Sequence, residues 1–256
     1  MDQLSSEVER EAPFAGDYHA ERDALQKKLA QLQFAQIVHK KRAIVVFEGW
    51  EGAGKLAALR RVTARWDPCH FRTWCVRQDE FRETGQHWLT PYWVRLPEAG
   101  DSALYFRSWY NGIIRARALG EMKDKRFLRA LDEINEFEAQ QAEHGTLLVK
   151  LFFDVSADVQ AQRLHERAAH PWRKFSMEPE DLRSHSARDG YQAAWHEMFA
   201  HCDTRWAPWQ VIDGNDKRSC RIAALTAVAN AFEKAMPAEP PAEEEHVAIL
   251  ARQKFG

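Results

Sequence analysis

The sequence predicts a three-layer α/β domain in which helices cover both faces of a parallel sheet. Short apolar runs typical of buried strands alternate along the 256 residues with longer segments of helical periodicity. A glycine-rich turn follows the first of these strands and leads directly into a helix, as in a βαβ unit. A chain of this length is long enough to bury a full hydrophobic core.

The predicted elements begin with an N-terminal helix, because apolar residues recur at roughly helical spacing between residues 18 and 42. The first strand is the β-branched run at residues 43–47. The order after it is helix, two strands, helix, strand, helix, strand and helix, at residues 56–65, 71–76, 102–106, 131–144, 147–155, 157–169, 209–212 and 221–235. Residues 170–186 form a polar, proline-containing stretch, and residues 156–200 are interpreted as a short helical lid.

One domain is expected over residues 18–235, between a flexible N-terminus at residues 1–17 and a flexible, acidic and proline-rich tail at residues 236–256. The formal net charge is −2, but the acids are concentrated at the two ends. Residues 21–235 carry 33 lysines and arginines against 29 acids. A mildly basic domain of this kind suits a polyanionic ligand.

Composition also indicates the cellular compartment that we expect for the protein. The longest apolar runs are far too short to span a bilayer, and the acidic N-terminus lacks the apolar region of a secretion signal. The four cysteines form no CxxC pair, so we expect reduced and mostly buried thiols in a cytoplasmic protein. The histidines form no zinc-like pair, and no nucleic-acid motif accompanies the basic residues.

The turn after the first strand satisfies the G-x-x-x-x-G-K pattern of a phosphate-binding loop. Glycines allow backbone N–H groups to converge on phosphate oxygens, the helix N-terminus adds a positive dipole, and the lysine adds a charge. A glycine-rich turn without a ligand is the alternative, but the position between strand and helix is the one that the motif requires. The predicted phosphate-binding residues of this loop are Gly49, Gly52, Ala53, Gly54 and Lys55.

The loop lacks the hydroxyl that normally holds Mg²⁺ after the lysine, because Leu56 stands in that place. Another oxygen ligand is therefore needed. Glu51, inside the loop, is the nearest candidate.

At four places, in order over residues 43–235, the chain resembles the polyphosphate kinase 2 family. The loop has an acid inside it and no Ser or Thr after the lysine, as in that family's G-x-D-x-A-G-K. Three further stretches resemble family motifs: RLPEAGDSALYFRSWYNG, EINEFEAQQAEHGTLLVKLFFDVS and DTRWAPWQVIDGNDKR. The resemblance implies a P-loop kinase fold, phosphoryl transfer between inorganic polyphosphate and nucleoside mono- or diphosphates with Mg²⁺, and a homo-oligomer.

One departure from the family concerns the metal. The family's D-R-S-W-Y motif places an aspartate where this chain has Phe106, which has no oxygen to offer a cation, while the following arginine is kept as Arg107 and is expected to orient the phosphoryl group. Glu51 is longer than the family's loop aspartate and reaches further. Asp154, near the end of a neighbouring strand, is a second candidate ligand, with a helix N-cap or turn role as the alternative.

The lid motif of the family, R-x-x-D-P-x-K-x-W-K-x-S, appears two residues shorter at residues 167–176. Four basic residues on or beside the lid helix are expected to grip polyphosphate and close over the transferring group: Arg163, Arg167, Arg173 and Lys174. A solvated basic face is the alternative.

The family motif continues into a segment on the side of the phosphoryl acceptor, here called the acceptor side. There Gly112 replaces a family arginine. Arg115 or Arg117 is expected either to compensate for it or only to form surface pairs such as Arg117 with Glu121. The motif tryptophans Trp109, Trp206 and Trp209 are interpreted as packing residues.

The sequence thus predicts a Mg²⁺-dependent phosphotransferase, with Lys55, Arg107, Arg167 and Lys174 as its catalytic residues. Two alternatives remain open. One is a catalytically degraded family member that binds phosphate or polyphosphate or acts as a regulator. The other is a P-loop kinase that uses ATP to phosphorylate a small acceptor.

Overall fold

The computed structural model of the chain describes residues 13–76, 85–242 and 245–255. Its centre is a parallel sheet of five strands: β1 (Arg42–Gly49), β2 (Phe71–Cys75), β3 (Ser102–Phe106), β4 (Thr146–Asp154) and β5 (Trp209–Asp213). The strand order across the sheet is β2-β3-β1-β4-β5. The α/β fold and the five strands expected from the sequence are thereby confirmed.

Helices cover the sheet in two groups. The described α-helices are α1 (Tyr18–Val38), α2 (Lys55–Val62), α3 (Thr90–Trp93), α4 (Trp109–Ala118), α5 (Asp124–Glu143), α6 (Ala157–Ala169), α7 (Pro179–Ser186), α8 (Arg188–Cys202), α9 (Lys217–Ala235) and α10 (Glu245–Phe255). Helices α1, α2 and α9 pack together, and so do α4, α5 and α8. Short 3₁₀ turns at Pro68–His70 and Arg173–Ser176 complete the described elements.

Several helix boundaries differ from the predicted ones, for local reasons. Helix α5 begins at Asp124, seven residues before the expected Leu131, because the buried Phe127 and Ala130 extend its core-facing side. Helix α9 begins at Lys217 rather than at residue 221, because Asp216 accepts hydrogen bonds from the N–H groups of its first turn.

The stretch at residues 170–186 is more ordered than its composition indicates. It contains the 3₁₀ turn Arg173–Ser176 and helix α7, which begins with a proline at its first position. The side chains of Glu178 and Asp181 form a capping box there. Helices α3, α4, α8 and α10 were not predicted as separate elements either.

Strand β1 lies at the middle of the sheet, between β3 and β4. Its residues Ala43 to Phe47 are completely buried, which explains their continuous apolar character. The chain moves from β1 to the β2–β3 side and then returns to β4 on the other side. Ligands of open α/β folds bind at the carboxyl end of the sheet where the strand order reverses, which is here the end of β1.

A buried ion pair connects the motif residues of three elements. Lys150 of β4 lies with its Nζ 2.7 Å from Glu138 Oε2 of α5 and donates to the carbonyl oxygen of Cys202 at 2.8 Å. Glu138 Oε1 accepts hydrogen bonds from Trp109 Nε1 at 3.0 Å and from the hydroxyl of Tyr110 at 2.7 Å. Burial, and then the charge of Glu138, raises the pKa of Tyr110. These motif residues therefore stabilise the fold.

The packing role expected for the motif tryptophans holds for two of the three. Trp109 and Trp209 are buried, but Trp206 is 41% exposed, so its predicted role was wrong.

Two of the four free cysteines, Cys69 and Cys75, are exposed, contrary to the expectation of mostly buried thiols.

The two ends of the chain are described only in part. Most of the predicted flexible N-terminus, and Glu243 and Glu244 of the tail, lie outside the described residues. Phe14 is held by a hydrogen bond from its N–H to the Ser219 hydroxyl at 2.8 Å. None of the described helices is both long and apolar enough to cross a lipid bilayer.

Replacing Lys150 by methionine is expected to lower the free energy of unfolding by about 3 to 5 kcal/mol, because it leaves the Glu138 carboxylate buried without its counter-charge. Urea denaturation measures this change. The double variant Lys150→Met/Glu138→Gln removes both charges and is expected to recover most of the loss. A single variant as stable as the parent would show that the pair is not important for stability.

Candidate phosphate-binding site

The loop at residues 49–55 forms the predicted strand–turn–helix junction between β1 and α2. Gly49 has a φ of 110°, and a Cβ atom there would lie 2.3 Å from the carbonyl oxygen of Phe153, so no other residue fits. Gly52 and Gly54 also have positive φ. The N-cap of α2 is Gly54, which provides no side-chain hydrogen bond, and the first N–H groups of the helix therefore point out uncapped by a side chain.

Not all of the loop amides are available to a ligand. The N–H of Ala53, one of the predicted phosphate-binding groups, donates to the carbonyl oxygen of Trp50 at 3.3 Å. The role of Gly49 is different: because it has no side chain, β1 can approach β4 closely at this point.

The ammonium group of Lys55 is folded into its own loop. Its Nζ donates to the carbonyl oxygens of Gly49 at 2.5 Å and Trp50 at 3.0 Å and to Glu51 Oε1 at 3.2 Å. The side chain is buried, which lowers the pKa of Lys55, whereas the charge of Glu51 acts in the opposite direction. These three acceptors use all three N–H donors of the ammonium group, so a bound anion would have to replace one of them, and Glu51 is the one that carries a negative charge.

Glu51 supplies that carboxylate. Its Oε1 accepts hydrogen bonds from Lys55 and also from Arg107 Nε, at 3.0 Å. Burial by itself raises the pKa of Glu51, but the charges of Lys55 and Arg107 outweigh it and hold the pKa at about 2. Carboxylate and phosphate oxygens are alternative partners for the same cations. Glu51 therefore occupies a position suited to a phosphate oxygen.

Arg107 follows β3 directly and brings the second cation to the loop. It is buried and has a φ of 60°, which is unusual for a residue other than glycine. Its Nη1 donates to Glu178 Oε2 of the lid at 2.7 Å, and its Nη2 lies 4.0 Å from Asp181 Oδ1. Burial by itself lowers the pKa of Arg107, but the carboxylates of Glu51 and Glu178 outweigh burial and raise this pKa above its ordinary value.

Phe106 stands beside both cations. Lys55 Nζ lies 5.9 Å from the centroid of its ring, and the guanidinium carbon of Arg107 lies 5.4 Å from it. A cation over an aromatic ring gains on the order of 0.5–1 kcal/mol at exposed sites and more where water is excluded. The ring thus forms an apolar wall at the position where the family motif has a carboxylate.

Glu48 is a component of the site that was not predicted from the sequence. It is fully buried near the end of β1, and its Oε1 accepts hydrogen bonds from the Ser108 N–H at 2.5 Å and from the Ser108 hydroxyl at 2.8 Å. Burial raises the pKa of Glu48, against the effect of Lys55. An acid at the end of an apolar strand, immediately before the glycine-rich loop, is the signal that identifies it.

The predicted lid bases lie in three different environments. Arg163 donates to the carbonyl oxygens of Gly52 at 3.0 Å, Gly214 at 2.7 Å and Asn215 at 2.7 Å, which connects the loop to the turn after β5. Burial lowers the pKa of Arg163. Its described contacts are to backbone, so it corresponds neither to a free polyphosphate ligand nor to a solvated base.

The other three bases are more accessible. Arg167 Nη1 lies 3.4 Å from Asp181 Oδ1, at the lid helix next to Arg107. Arg173 and Lys174 are exposed in the 3₁₀ turn at the tip of the lid. The structure therefore places Arg163 at the phosphate-binding loop, Arg167 near Arg107 and the other two bases at the tip of the lid.

Asp154 lies at the loop but is not the cap of the following helix. It ends β4, and its Oδ1 accepts a hydrogen bond from Trp50 Nε1 at 2.8 Å. Ser156 caps α6 instead, so the N-cap interpretation of Asp154 was wrong. Within the described ranges, no cluster of three or more His, Cys, Asp or Glu residues is arranged to hold a metal ion.

The acceptor-side arginines are both paired. Arg115 Nη1 lies 2.6 Å from Glu121 Oε2, and Arg117 Nη2 lies 2.9 Å from Glu197 Oε1. The expected pair of Arg117 with Glu121 was therefore wrong, because it is Arg115 that reaches this glutamate.

Replacing Glu51 by glutamine is expected to lower the free energy of unfolding at pH 7 by about 3 kcal/mol, because two buried cations lose their shared counter-charge. The folded pKa of about 2 lies below the ordinary value of 4.5, so the contribution of Glu51 is complete above pH 4.5 and is lost as the pH falls towards 2. Denaturation at several pH values measures the difference between the two proteins. It should shrink over that pH window, whereas the control Glu233→Gln, in an exposed pair with Lys28, should show little difference at any pH. A difference that stays constant down to pH 2 would contradict the ionic role.

Comparison with known proteins agrees with this geometry. The sequence profile of the family Polyphosphate kinase 2 (PPK2) matches residues 15–240. A polyphosphate kinase 2 structure from Arthrobacter aurescens TC1 superimposes with a TM-score of 0.85 at 25% sequence identity, covering 95% of this chain and 89% of that chain.

Two relatives illustrate the range of named activities. ADP-polyphosphate phosphotransferase 2 of Rhizobium meliloti is 33% identical over 209 residues, which cover 82% of this chain and 68% of the relative. Polyphosphate:AMP phosphotransferase of Acinetobacter johnsonii is 32% identical over 220 residues, and the match covers 85% of this chain but 46% of that protein. This chain thus spans less than half the length of the second relative. With a profile match over most of its length and a shared fold, the chain belongs to the polyphosphate kinase 2 family.

Proposed function

We propose that this chain transfers a phosphoryl group between inorganic polyphosphate and a nucleoside mono- or diphosphate. The observation that carries the proposal is the convergence of Lys55 and Arg107 on one oxygen of Glu51 at a phosphate-binding loop. Two buried cations at one point are what phosphoryl transfer requires, because its catalysis consists largely of positioning and charge neutralisation. The names of the relatives supply the substrate class.

In this proposal the substrate replaces protein carboxylates. A phosphate oxygen takes the position of Glu51 between Lys55 and Arg107, and the uncapped N–H groups at the start of α2 bind further oxygens. The bond between the terminal phosphorus of the donor and its bridging oxygen breaks. A bond forms from that phosphorus to an ionised phosphate oxygen of the acceptor, so no general base is needed. Lys55 and Arg107 neutralise the charge that moves between the two oxygens.

A magnesium ion fits this site with a single protein carboxylate. Mg²⁺ is commonly held by one or two carboxylates together with substrate phosphates and water. Glu51 is ionised and lies in the loop, Asp154 lies beside the loop with its Oδ1 bonded to Trp50, and Phe106 offers no oxygen. Glu51 would hold the ion, directly or through water, once phosphates replace it beside the two cations. A bound Mg²⁺ supplies charge neutralisation at the phosphates.

Several other parts of the proposal rest on the family resemblance and on composition. Arg167, Arg173 and Lys174 would contact polyphosphate, while Arg163 would hold the loop in shape. The resemblance supports a homo-oligomer, which light scattering after gel filtration tests. Four free cysteines, two of them exposed, support a reducing cytoplasmic compartment.

A second candidate function is favoured by Phe106. A family member without this carboxylate would be a binding or regulatory protein that retains phosphate affinity. Such a protein would bind polyphosphate or nucleotide with little dependence on Mg²⁺ and without turnover.

Incubating the purified protein with long-chain polyphosphate, Mg²⁺ and each of AMP, ADP, GMP and GDP tests the activity directly. We expect phosphorylated nucleotide as product, and a fall of about 10²-fold or more in Lys55→Ala, because a transition-state charge loses its partner. Parallel reactions with ATP as donor separate a conventional nucleotide kinase from a polyphosphate enzyme.

The variant Phe106→Asp decides between the two candidate functions. Turnover by the parent shows that the aspartate is dispensable here. A parent without turnover, together with a Phe106→Asp variant that gains it, would establish the binding protein.

The lid contact provides a separate prediction. Glu178 holds Arg107 in competition with a phosphate, so Glu178→Gln is expected to lower the KM for polyphosphate by about two- to fivefold, as for a partly exposed ion pair. Steady-state kinetics measures it, with Glu121→Gln, which removes the surface partner of Arg115, as the control. A higher KM in Glu178→Gln would show that this carboxylate helps the lid to hold substrate.

A further inference from the structure

A second acid at the phosphate-binding loop has no place in the transfer step derived above. Glu48 is completely buried in β1, one residue before Gly49. Both of its described hydrogen bonds go to Oε1, from the N–H and the hydroxyl of Ser108. Among the described residues, its Oε2 has no hydrogen-bond partner.

Burying a carboxylate without a direct ionic partner is unfavourable, and a neutral side chain in a purely structural position avoids that cost. The two contacts that Glu48 makes therefore indicate what it does. They hold the residue that immediately follows Arg107, at the point where β3 turns into α4. Ser108 is also the N-cap of α4, so its position fixes the start of that helix.

The turn at Arg107 needs such support. Arg107 has a φ of 60°, in the left-handed region that residues other than glycine rarely adopt and that persists only where the surroundings enforce it. Its N–H donates to the carbonyl oxygen of Phe47 at 3.2 Å. Two consecutive residues of β1 thus hold this turn, Phe47 by accepting from Arg107 and Glu48 by accepting from Ser108.

We propose that Glu48 is a positioning residue for phosphoryl transfer, which fixes the turn through Ser108 so that the Arg107 guanidinium meets Lys55 at the loop. Glu48 touches neither the substrate nor the reacting atoms. Its effect passes through the backbone, and it determines whether Arg107 Nε points at the anion position now taken by Glu51. This inference rests on the proposed function.

The test compares Glu48→Ala, Glu48→Gln, Arg107→Ala and the double variant Glu48→Ala/Arg107→Ala in the polyphosphate-to-nucleotide assay. A misplaced catalytic group commonly costs about 10²-fold, so Glu48→Ala is expected to lower kcat to that extent with little change in the KM for nucleotide. Glu48→Gln keeps the accepting Oε1 and is expected to recover most of the activity. The double variant should be no slower than Arg107→Ala, because both changes remove the same interaction.

Two outcomes would overturn the inference. If the losses in the double variant add, Glu48 acts independently of Arg107. If Glu48→Gln is as slow as Glu48→Ala, its charge matters and not its geometry. Should Glu48→Ala not fold, Ser108→Ala removes one of the two contacts and is expected to show a smaller loss of kcat, and an unchanged kcat there would count against the inference. Glu197→Gln, which alters the Arg117 pair on the far part of α4, is the matched control and should keep the parent kcat.

The inference can fail separately from the proposed function. If the parent shows no turnover, the proposed activity is wrong, and calorimetric titration with tripolyphosphate then tests Glu48. Weaker binding by the same factor in Glu48→Ala and Arg107→Ala, with parent-like affinity in Glu48→Gln, supports the positioning role. Parent-like affinity in Glu48→Ala would overturn it.

Discussion

Two buried cations that require an anion dominate this end of the sheet. Lys55 and Arg107 come from parts of the chain 52 residues apart, and both donate to one oxygen of Glu51. They meet because β1 and β3 are neighbours in register, with Phe47 beside Phe106, so that the residues following the two strands leave the sheet together. The close approach of Gly49 to β4 shapes the loop that carries Lys55. The lid closes onto the same centre, because Glu178 bonds to Arg107.

Phosphate would therefore bind at this site by replacing carboxylates beside the two cations, rather than by filling an empty pocket. Glu51 and Glu178 satisfy the cations in the structure described here, so an incoming polyanion competes with carboxylates that are already in place. Polyphosphate offers several linked anionic groups to the same cations, whereas each carboxylate offers one, and the attraction is stronger where the dielectric is low. Release of Glu178 would remove one contact between the lid and Arg107, while other lid contacts, such as that of Glu180 with Arg115, would remain. Arg107 therefore connects the anion position at the loop to the lid.

Short stretches of sequence predict much of this fold and part of the site. The contacts between residues far apart in the chain become visible only in the structure. The strands, the loop and Arg107 follow from short stretches of sequence, since apolar runs and glycine spacing are local properties. The contacts of Glu48 with Ser108, of Arg107 with Glu178 and of Arg163 with Gly214 join residues far apart in the chain. No periodicity encodes such pairings. Arg163 illustrates the consequence, because a base that looks free in a basic stretch is occupied by backbone carbonyl groups.

Phe106 places an aromatic ring where the family motif has a carboxylate, while the two cations of the site remain. An aspartate there would add a carboxylate beside Lys55 and Arg107 and compete with Glu51 for the same two cations. The ring instead places an apolar face beside both cations. Lower local polarity strengthens the attraction of both cations for any anion that remains, whether Glu51 or a phosphate. The absence of the family's carboxylate and the presence of an aromatic ring beside both cations are therefore two consequences of one difference from the family motif, and both bear on whether the loop transfers phosphate or only holds it.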